Sequence, residues 1–154
     1  MFVVLVSGHP GRWQPRVTVA LDRTGEETTV AQYLIAFNDE WVPEFTAEEI
    51  REKGTAGNAV IEEMKAAGVF LFGNGGTDAS TVVCSVEASD GEPVFTDGPY
   101  VETKEHLGGF AVIDVPDDAT ARYWAGRLAT VLDWPQEVHR FRGPGRARGD
   151  APAE

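Results

Sequence analysis

The sequence predicts one α+β domain built on a ferredoxin-like βαββαβ sheet with an extra hairpin strand. The first observation is the order of periodic segments between residues 31 and 141, which alternate as strand, helix, strand, strand, helix and strand. The second is the length of 154 residues, which suits one hydrophobic core. The third is composition, because 42% apolar and 25% charged residues are ordinary for a globular protein.

The first strand and helix are predicted between residues 32 and 68. Gln32 to Asn38 alternates in the manner of a strand, with its aromatic and β-branched residues on one face. Thr46 followed by Glu49 is a capping box that opens a helix, and Gly68 suits its end. The predicted core stripe of this helix is formed by Ile50, Gly54, Gly57, Ile61 and Met64. Its two glycines indicate close packing against the sheet.

The middle of the chain predicts further strands. Val69 to Phe72 and Thr81 to Ala88 read as strands, and Ser89 to Glu92 is a hairpin turn into the extra short strand, Pro93 to Thr96. Gly73 to Thr77 is expected to be a flexible connection. It lacks the third glycine of a dinucleotide fingerprint and the lysine of a phosphate loop, so no nucleotide is expected there.

The last elements are a strand, a helix and a strand. Phe110 to Val115 is a strand, and Pro116 with the two aspartates that follow it starts the second helix. That helix is expected to end near Leu132, and Gln136 to Phe141 is the final strand. One apolar stripe on the helix faces the core, formed by Ala121, Trp124, Ala125 and Leu128.

The domain is expected to span residues 31–143, between an extension at 1–30 and a disordered tail at 144–154. We favour a native bacterial translation start at Val30, because Gly25-Glu26-Glu27 is what a purine-rich ribosome-binding sequence would encode. The first thirty residues would then be a mis-annotated start or disordered. The alternative is that they form a hairpin of two short strands.

The composition of the chain limits the partners, the disulfides and the cellular location that we expect. Because 25 acidic residues oppose 13 basic ones, direct nucleic-acid binding is disfavoured. The lone Cys84 excludes an intramolecular disulfide and is expected to be a small core residue. The apolar run at residues 2–6 is too short for a signal or a membrane span, so we expect a cytoplasmic protein. The three histidines are scattered, which predicts no metal and no cofactor.

The predicted strands are apolar on both faces, which indicates a homodimer. Val82 and Val83 are adjacent, as are Ala111, Val112 and Ile113, so each pair of neighbours places apolar side chains on opposite faces. Two helices cover only one face of the sheet. A second subunit is therefore expected to cover the other.

Residues Asp97 to Phe110, here called the signature loop, are the strongest candidate for a functional site. They combine a turn-forming start with several titratable groups and join two predicted strands. Asp97 and His106 are the candidate proton carriers, since a histidine beside carboxylates suits acid/base work. The candidate ligand contacts are Gly98, Pro99, Tyr100, Glu102 and Lys104 from the loop, and Asp39 and Trp41 after the first strand.

A structural interpretation of the same residues stays open. Asp97-Gly98-Pro99 suits a rigid turn, and the titratable groups after it suit a solvated, salt-bridged loop. Asp39-Glu40-Trp41 would then be a solvent-facing linker that caps the helix.

The signature loop resembles that of the YCII-related proteins, in the branch named DGPF, with Tyr100 in place of the usual Phe. The resemblance covers roughly residues 31–143 and implies a dimeric α+β barrel. In one branch of the family a His and Asp pair, with the histidine in the first helix, is thought to form the active site. Thr46 to Gly68 contains no histidine, so that pair does not carry over.

Two functions follow as expectations. By analogy with related barrels, the protein would bind a small polar metabolite beside the signature loop, with proton transfer of an isomerase or lyase type. The alternative is a non-catalytic accessory module, because DGPF proteins are often encoded beside sigma factors and some are labelled as transcription initiation proteins. The acidic composition favours a protein partner over DNA in that case.

Overall fold

The computed structural model describes residues 19–21, 27–99 and 104–142. Before the main domain, β1 (Val19–Leu21) pairs antiparallel with β2 (Glu27–Thr29). The rest of the first thirty residues and the tail after residue 142 lie outside the described residues, as do Tyr100 and Glu102 of the signature loop.

The predicted α+β class is confirmed. The remaining strands are β3 (Ala31–Asn38), β4 (Phe70–Gly75), β5 (Cys84–Ser89), β6 (Glu92–Asp97), β7 (Leu107–Val115) and β8 (Glu137–Arg140). The main sheet has the order β4-β7-β3-β8 with every pair antiparallel. With α1 (Ala47–Ala66) after β3 and α2 (Asp118–Leu132) after β7, the chain follows the βαββαβ plan.

Helix α1 begins where its capping box predicts. The hydroxyl of Thr46 accepts from the Glu49 amide, and the Glu49 carboxylate accepts from the Thr46 amide at 2.7 Å. The predicted core stripe is wrong in the first half of the helix, because Ile50 is exposed and nothing surrounds Gly54. In the second half, Gly57 and Met64 are buried as predicted, together with Val60, and a Cβ on Gly57 would meet Leu132 of α2 rather than the sheet.

Helix α2 matches its prediction from end to end. Asp117 accepts from the Thr120 amide at 2.7 Å and caps the helix, and the four residues of the predicted stripe are all buried. Together with Tyr33, Ile35, Ile113 and Val115 of the sheet and Val60 and Met64 of α1, that stripe forms the core. The core therefore lies between one face of the sheet and the two helices.

The segment from residue 79 to 97 differs from its prediction. Residues Ala79–Thr81 form a 3-10 turn and β5 begins at Cys84. Within the described ranges, β5 pairs with β6 alone, in a separate two-stranded sheet. The whole hairpin is thus an insertion, where one extra strand was predicted. Cys84 is exposed, which contradicts its predicted core position, and Val83 is 87% exposed outside the main sheet. Local periodicity does not say which sheet a strand joins.

The glycine-rich stretch after Phe72 is also not the flexible connection that was predicted. Residues 73–75 continue β4 and pair with β7. A Cβ on Gly73 would lie 2.6 Å from the backbone oxygen of Phe110, so this strand pair needs a glycine for its close approach.

The face of the sheet opposite the helices carries apolar side chains. Because Tyr33 and Ile35 point into the core, alternation turns Leu34 the other way, and the register places Val112 beside it. Phe72 pairs with Val112 and its ring lies 5.7 Å from that of Phe110. Phe72 is 60% exposed. We call Leu34, Phe72, Phe110 and Val112 the outer face.

Among the described residues, neither helix is long and apolar enough to cross a membrane.

Candidate functional site

The candidate site forms at the end of the main sheet where β3 stops and β7 starts. After Asn38 the chain turns through a short 3-10 segment, Asp39–Trp41. The antiparallel register places that turn beside the end of the signature loop, since Asn38 pairs with Leu107. Two segments that are far apart in sequence, and that each carried candidate residues, therefore meet.

His106 and Glu40 form the closest polar contact at this end. Nδ1 of His106 lies 2.5 Å from Oε1 of Glu40, and the backbone amide of His106 donates to Oε2 of the same carboxylate at 2.8 Å. In return, the amide of Asp39 donates to the backbone oxygen of His106 at 2.8 Å. The carboxylate is held through both of its oxygens by one residue, and it orients the imidazole through Nδ1.

The electrostatics of the pair follow from these bonds. The hydrogen bond from the His106 side chain, followed by that from its backbone amide, lowers the pKa of Glu40 from 4.5 to about 2. Glu40 is therefore ionised at neutral pH and can only accept. A neutral His106 ring must then carry its proton on Nδ1, which leaves the lone pair on Nε2.

The His106 side chain is 17% exposed and that of Glu40 is 38% exposed, so the ring is partly shielded while its partner reaches water. No described residue forms a hydrogen bond or ion pair with Nε2. Within the part of the chain that the structure describes, the contact with Glu40 thus orients the ring through Nδ1 and leaves Nε2 without a hydrogen-bond partner.

Asp78 adds a second carboxylate near the ring. It caps the 3-10 turn Ala79–Thr81, and its pKa is lowered mainly by the hydrogen bonds from the Ser80 side chain and amide, with a smaller contribution from the charge of His106. The segment before it is held against β7, because the amides of Gly76 and Thr77 both donate to the backbone oxygen of Gly108. His106 therefore contacts the carboxylate of Glu40 directly and interacts weakly with the charge of Asp78.

Two glycines of the signature loop make the site possible sterically. A Cβ on Gly108 would lie 2.5 Å from Cε2 of Phe37 and 2.9 Å from the amide nitrogen of Asp39. A Cβ on Gly109 would lie 2.8 Å from Cε1 of the same phenyl ring. The ring of Phe37 therefore lies directly on the β7 backbone, which lets the turn carrying Glu40 approach His106.

The other candidates of the signature loop lie on the hairpin side. Asp97 ends β6 opposite Cys84, and Gly98 adopts a φ of 84°, which explains the glycine there. Pro99 lines a small open depression of about 140 Å³ together with Ser85, Glu87 and Thr96. The hydroxyl of Ser85 donates to the backbone oxygen of Gly98 at 2.6 Å and fixes this turn.

The described contacts thus divide the predicted residues into two groups. They join His106 to the turn that contains Asp39 and Trp41, whereas Asp97, Gly98 and Pro99 lie with the hairpin. Lys104 is exposed. Within the described residues, no hydrogen bond or ion pair links Asp97 to His106.

Sequence reasoning grouped Glu40 with its neighbours but did not single it out, and it missed Asp78 altogether. The available signal for Glu40 was the acidic turn after β3, since that turn must meet the start of β7 if the two strands pair. Asp78 carries a capping pattern with Thr81, which is a local feature and gives no sign of His106.

One comparison with known proteins is informative. The family model described as YCII-related domain matches residues 31–133. No curated protein matches the chain. The matched region contains both strands of the candidate site, the 3-10 turn with Glu40, and His106.

Proposed function

The chain belongs to the YCII-related domain family, and we propose that it binds a small polar metabolite beside the signature loop and transfers a proton on it. The reaction class is that of an isomerase or lyase. The single observation that carries the proposal is the contact between Nδ1 of His106 and Oε1 of Glu40 at 2.5 Å, which orients the ring.

In the proposed step, Nε2 of His106 accepts a proton from a carbon next to a carbonyl group of the ligand. The carbon–hydrogen electron pair moves into the enolate, and Glu40 stabilises the imidazolium that forms. An isomerase returns the proton to a different atom, and a lyase delivers it to the departing group. Because Glu40 stays ionised down to about pH 2, it supports the positive ring throughout the neutral range.

The remaining candidates serve as ligand contacts or as a second proton carrier. Asp97 is the proposed second carrier, since it stands at the opposite end of the signature loop. Ligand contacts are proposed for Gly98, Pro99, Tyr100, Glu102 and Lys104 of that loop and for Asp39 and Trp41 of the 3-10 turn.

We place this activity in a cytoplasmic homodimer that needs neither nucleic acid nor membrane. The outer face supports the dimer, because Phe72 is 60% exposed beside the half-buried Phe110 and Val112. An apolar surface of this kind suits a second copy related by two-fold symmetry, as the facing sheets of a barrel would be.

The experiment measures deuterium incorporation from D₂O into a panel of small 2-oxo and 2-hydroxy acids by proton NMR. We expect the wild-type protein to exceed the buffer rate for at least one compound, and His106→Gln to lower that rate by about 10²-fold or more. The matched control is His139→Gln, because His139 also contacts a glutamate, Glu137, at 3.0 Å but on the exposed surface of β8. Equal rates in wild type and His106→Gln would rule out the proton-transfer role.

Binding is tested separately by thermal shift with the same panel. A compound that raises the melting temperature of the wild type, and does so much less for Asp97→Asn, would place Asp97 in the site. Retention of the full shift in Asp97→Asn would remove this residue from the proposal while leaving His106 in it.

A second candidate function is an accessory protein that acts through protein contacts at transcription initiation. The hairpin favours it, since Val86 and Phe95 face each other across β5 and β6 and are 52% and 67% exposed. Phe95→Ser should abolish such a contact without altering deuterium incorporation. A partner that binds Phe95→Ser as well as wild type would refute this use of the hairpin.

A further inference from the structure

The hairpin of β5 and β6 has two faces that differ in polarity. Side chains that pair across the two strands share a face, whereas neighbours along one strand point to opposite faces. The face that carries Glu87 and Thr96 is polar apart from Val94. The opposite face is apolar, and we call its residues the hairpin face: Cys84, Val86, Ala88, Pro93 and Phe95.

The described part of the chain leaves the hairpin face exposed to solvent. All five of its residues are exposed, and Phe95 is 67% exposed. The hairpin has not folded back onto its own sheet, because Phe72 of the outer face is 60% exposed as well. A two-stranded hairpin on its own is only marginally stable in water. A surface from outside the chain would supply the apolar burial that it lacks.

We propose that the hairpin face packs against the outer face of a second copy of this chain. The inference rests on the homodimer of the proposed function, and it adds which part of one subunit meets which part of the other. In a two-fold dimer each contact occurs twice, with the roles of the subunits exchanged. One arrangement therefore covers both apolar surfaces of both copies.

The size and position of the outer face favour this occupant. A stable interface takes roughly 20–30 residues from each side, and the outer face alone offers only a few. The hairpin is inserted between β4 and β7, and these two strands also carry Phe72, Phe110 and Val112 of the outer face. The hairpin face therefore adds apolar contact to the interface that these strands already form.

Charge favours the sheet of the second copy over its hairpin. Residues 79–99 contain no lysine, arginine or histidine, but they contain the acidic residues Glu87, Asp90, Glu92 and Asp97. Two hairpins packed on each other would bring these like charges together, which opposes association. The four residues of the outer face are uncharged, so a hairpin packed on them avoids that repulsion.

The test compares one substitution on the two faces of the hairpin by sedimentation velocity over a range of concentrations. Val86→Ser alters the hairpin face, and Val94→Ser makes the same change on the polar face, at positions 52% and 41% exposed. We expect Val86→Ser to raise the dissociation constant of the dimer about tenfold or more, because the lost contact occurs twice, and Val94→Ser to change it by less than about twofold. Equal dissociation constants for the two variants would overturn the proposal.

Cys84 reports on the same contact in the unaltered protein, because it lies on the hairpin face and is the one cysteine of the chain. Its reaction with a maleimide should slow by about fivefold or more as the wild-type protein is concentrated from monomer to dimer, since the second copy would cover the thiol. In Phe72→Glu the rate should stay at the monomer value. A wild-type dimer whose Cys84 reacts as fast as the monomer would overturn the proposal, even if Val86→Ser had failed to fold.

The remaining outcomes separate this contact from the dimer itself. If Phe72→Glu is monomeric while Val86→Ser dimerises like the wild type, the dimer stands and the hairpin contact is excluded. A wild type that is monomeric throughout would overturn both and leave the hairpin to a different protein. Rapid formation of a disulfide between the Cys84 residues of two copies would show the hairpins packed together, and would overturn their contact with the sheet.

Discussion

Replacing Gly108 with alanine should destabilise the protein and disturb the site at once. The new methyl group would lie 2.5 Å from Cε2 and 2.8 Å from Cδ2 of Phe37, and 2.9 Å from the backbone nitrogen of Asp39. The ring of Trp134 lies 5.3 Å from that of Phe37 and limits the space into which the phenyl ring could move, and a shift of the Asp39 backbone nitrogen would shift the turn that carries Glu40.

Overpacking of this kind costs about 1–3 kcal/mol of unfolding free energy. For a chain of this size, each kcal/mol corresponds to a shift of about 2–4 °C in melting temperature. Gly108→Ala should therefore melt clearly below the wild type in a calorimetric or circular dichroism scan.

The control is Gly54→Ala, in helix α1, where no described atom outside the surrounding helix backbone and the two chain neighbours lies within 4 Å of the new methyl group. Because alanine is the better helix former by about 1 kcal/mol, this variant should melt above the wild type. The reasoning would be refuted if Gly108→Ala were as stable as the wild type, or if both alanine variants lost the same amount.

Three further predictions concern the pair, the core and the outer face. Because the folded pKa of Glu40 is lowered from 4.5 to about 2, the pair stabilises the protein above about pH 4.5 and loses that effect as pH falls toward 2. Between about pH 4.5 and 2, the melting temperature of Glu40→Gln should thus depend less on pH than that of the wild type. Parallel plots of melting temperature against pH for the two proteins would contradict a stabilising contact between Glu40 and His106. Met64→Ala should lower the free energy of unfolding measured in urea by about 2–5 kcal/mol, because Met64 is fully buried. The control Leu71→Ala, at an exposed position, should lower it far less. An equal loss in both variants would refute the assignment of Met64 to the core. Phe72→Glu should convert the proposed dimer to a monomer in sedimentation at micromolar concentration, and a wild type that already sediments as a monomer would contradict the dimer.

The parts of the fold that were predicted correctly depend on local chemistry. The capping box at Thr46 fixes the start of α1 without any tertiary contact. The stripe from Ala121 to Leu128 has the helical period, so its burial follows once a core exists. The alternation of β3 likewise determines which side chains face inward.

The errors concern features that depend on distant partners. Gly73 is a strand residue because β7 approaches it closely, and the neighbours of Gly73 in sequence do not reveal that approach. Cys84 is exposed because β5 pairs with β6 instead of joining the main sheet. Gly54 fits the helical period but lies beyond the part of α1 that α2 covers.

The candidate site was predictable in its parts and not in its assembly. The titratable residues of the signature loop and the acidic turn after β3 are visible in the sequence as separate clusters. Only the pairing of β3 with β7 brings Glu40 to His106. The relation between the hairpin carrying Asp97 and this pair depends likewise on tertiary structure rather than on spacing.

The most direct test is the protonation of the His106 ring, read by nitrogen-15 NMR of histidine-labelled protein above the titration range of imidazole. The structure predicts that Nδ1 carries the proton, bonded to Glu40, and that Nε2 is unprotonated. His139 in the same spectrum is the internal reference, because its contact with Glu137 is made through Nε2. A His106 ring protonated on Nε2 would contradict the oriented base on which the proposed proton transfer depends.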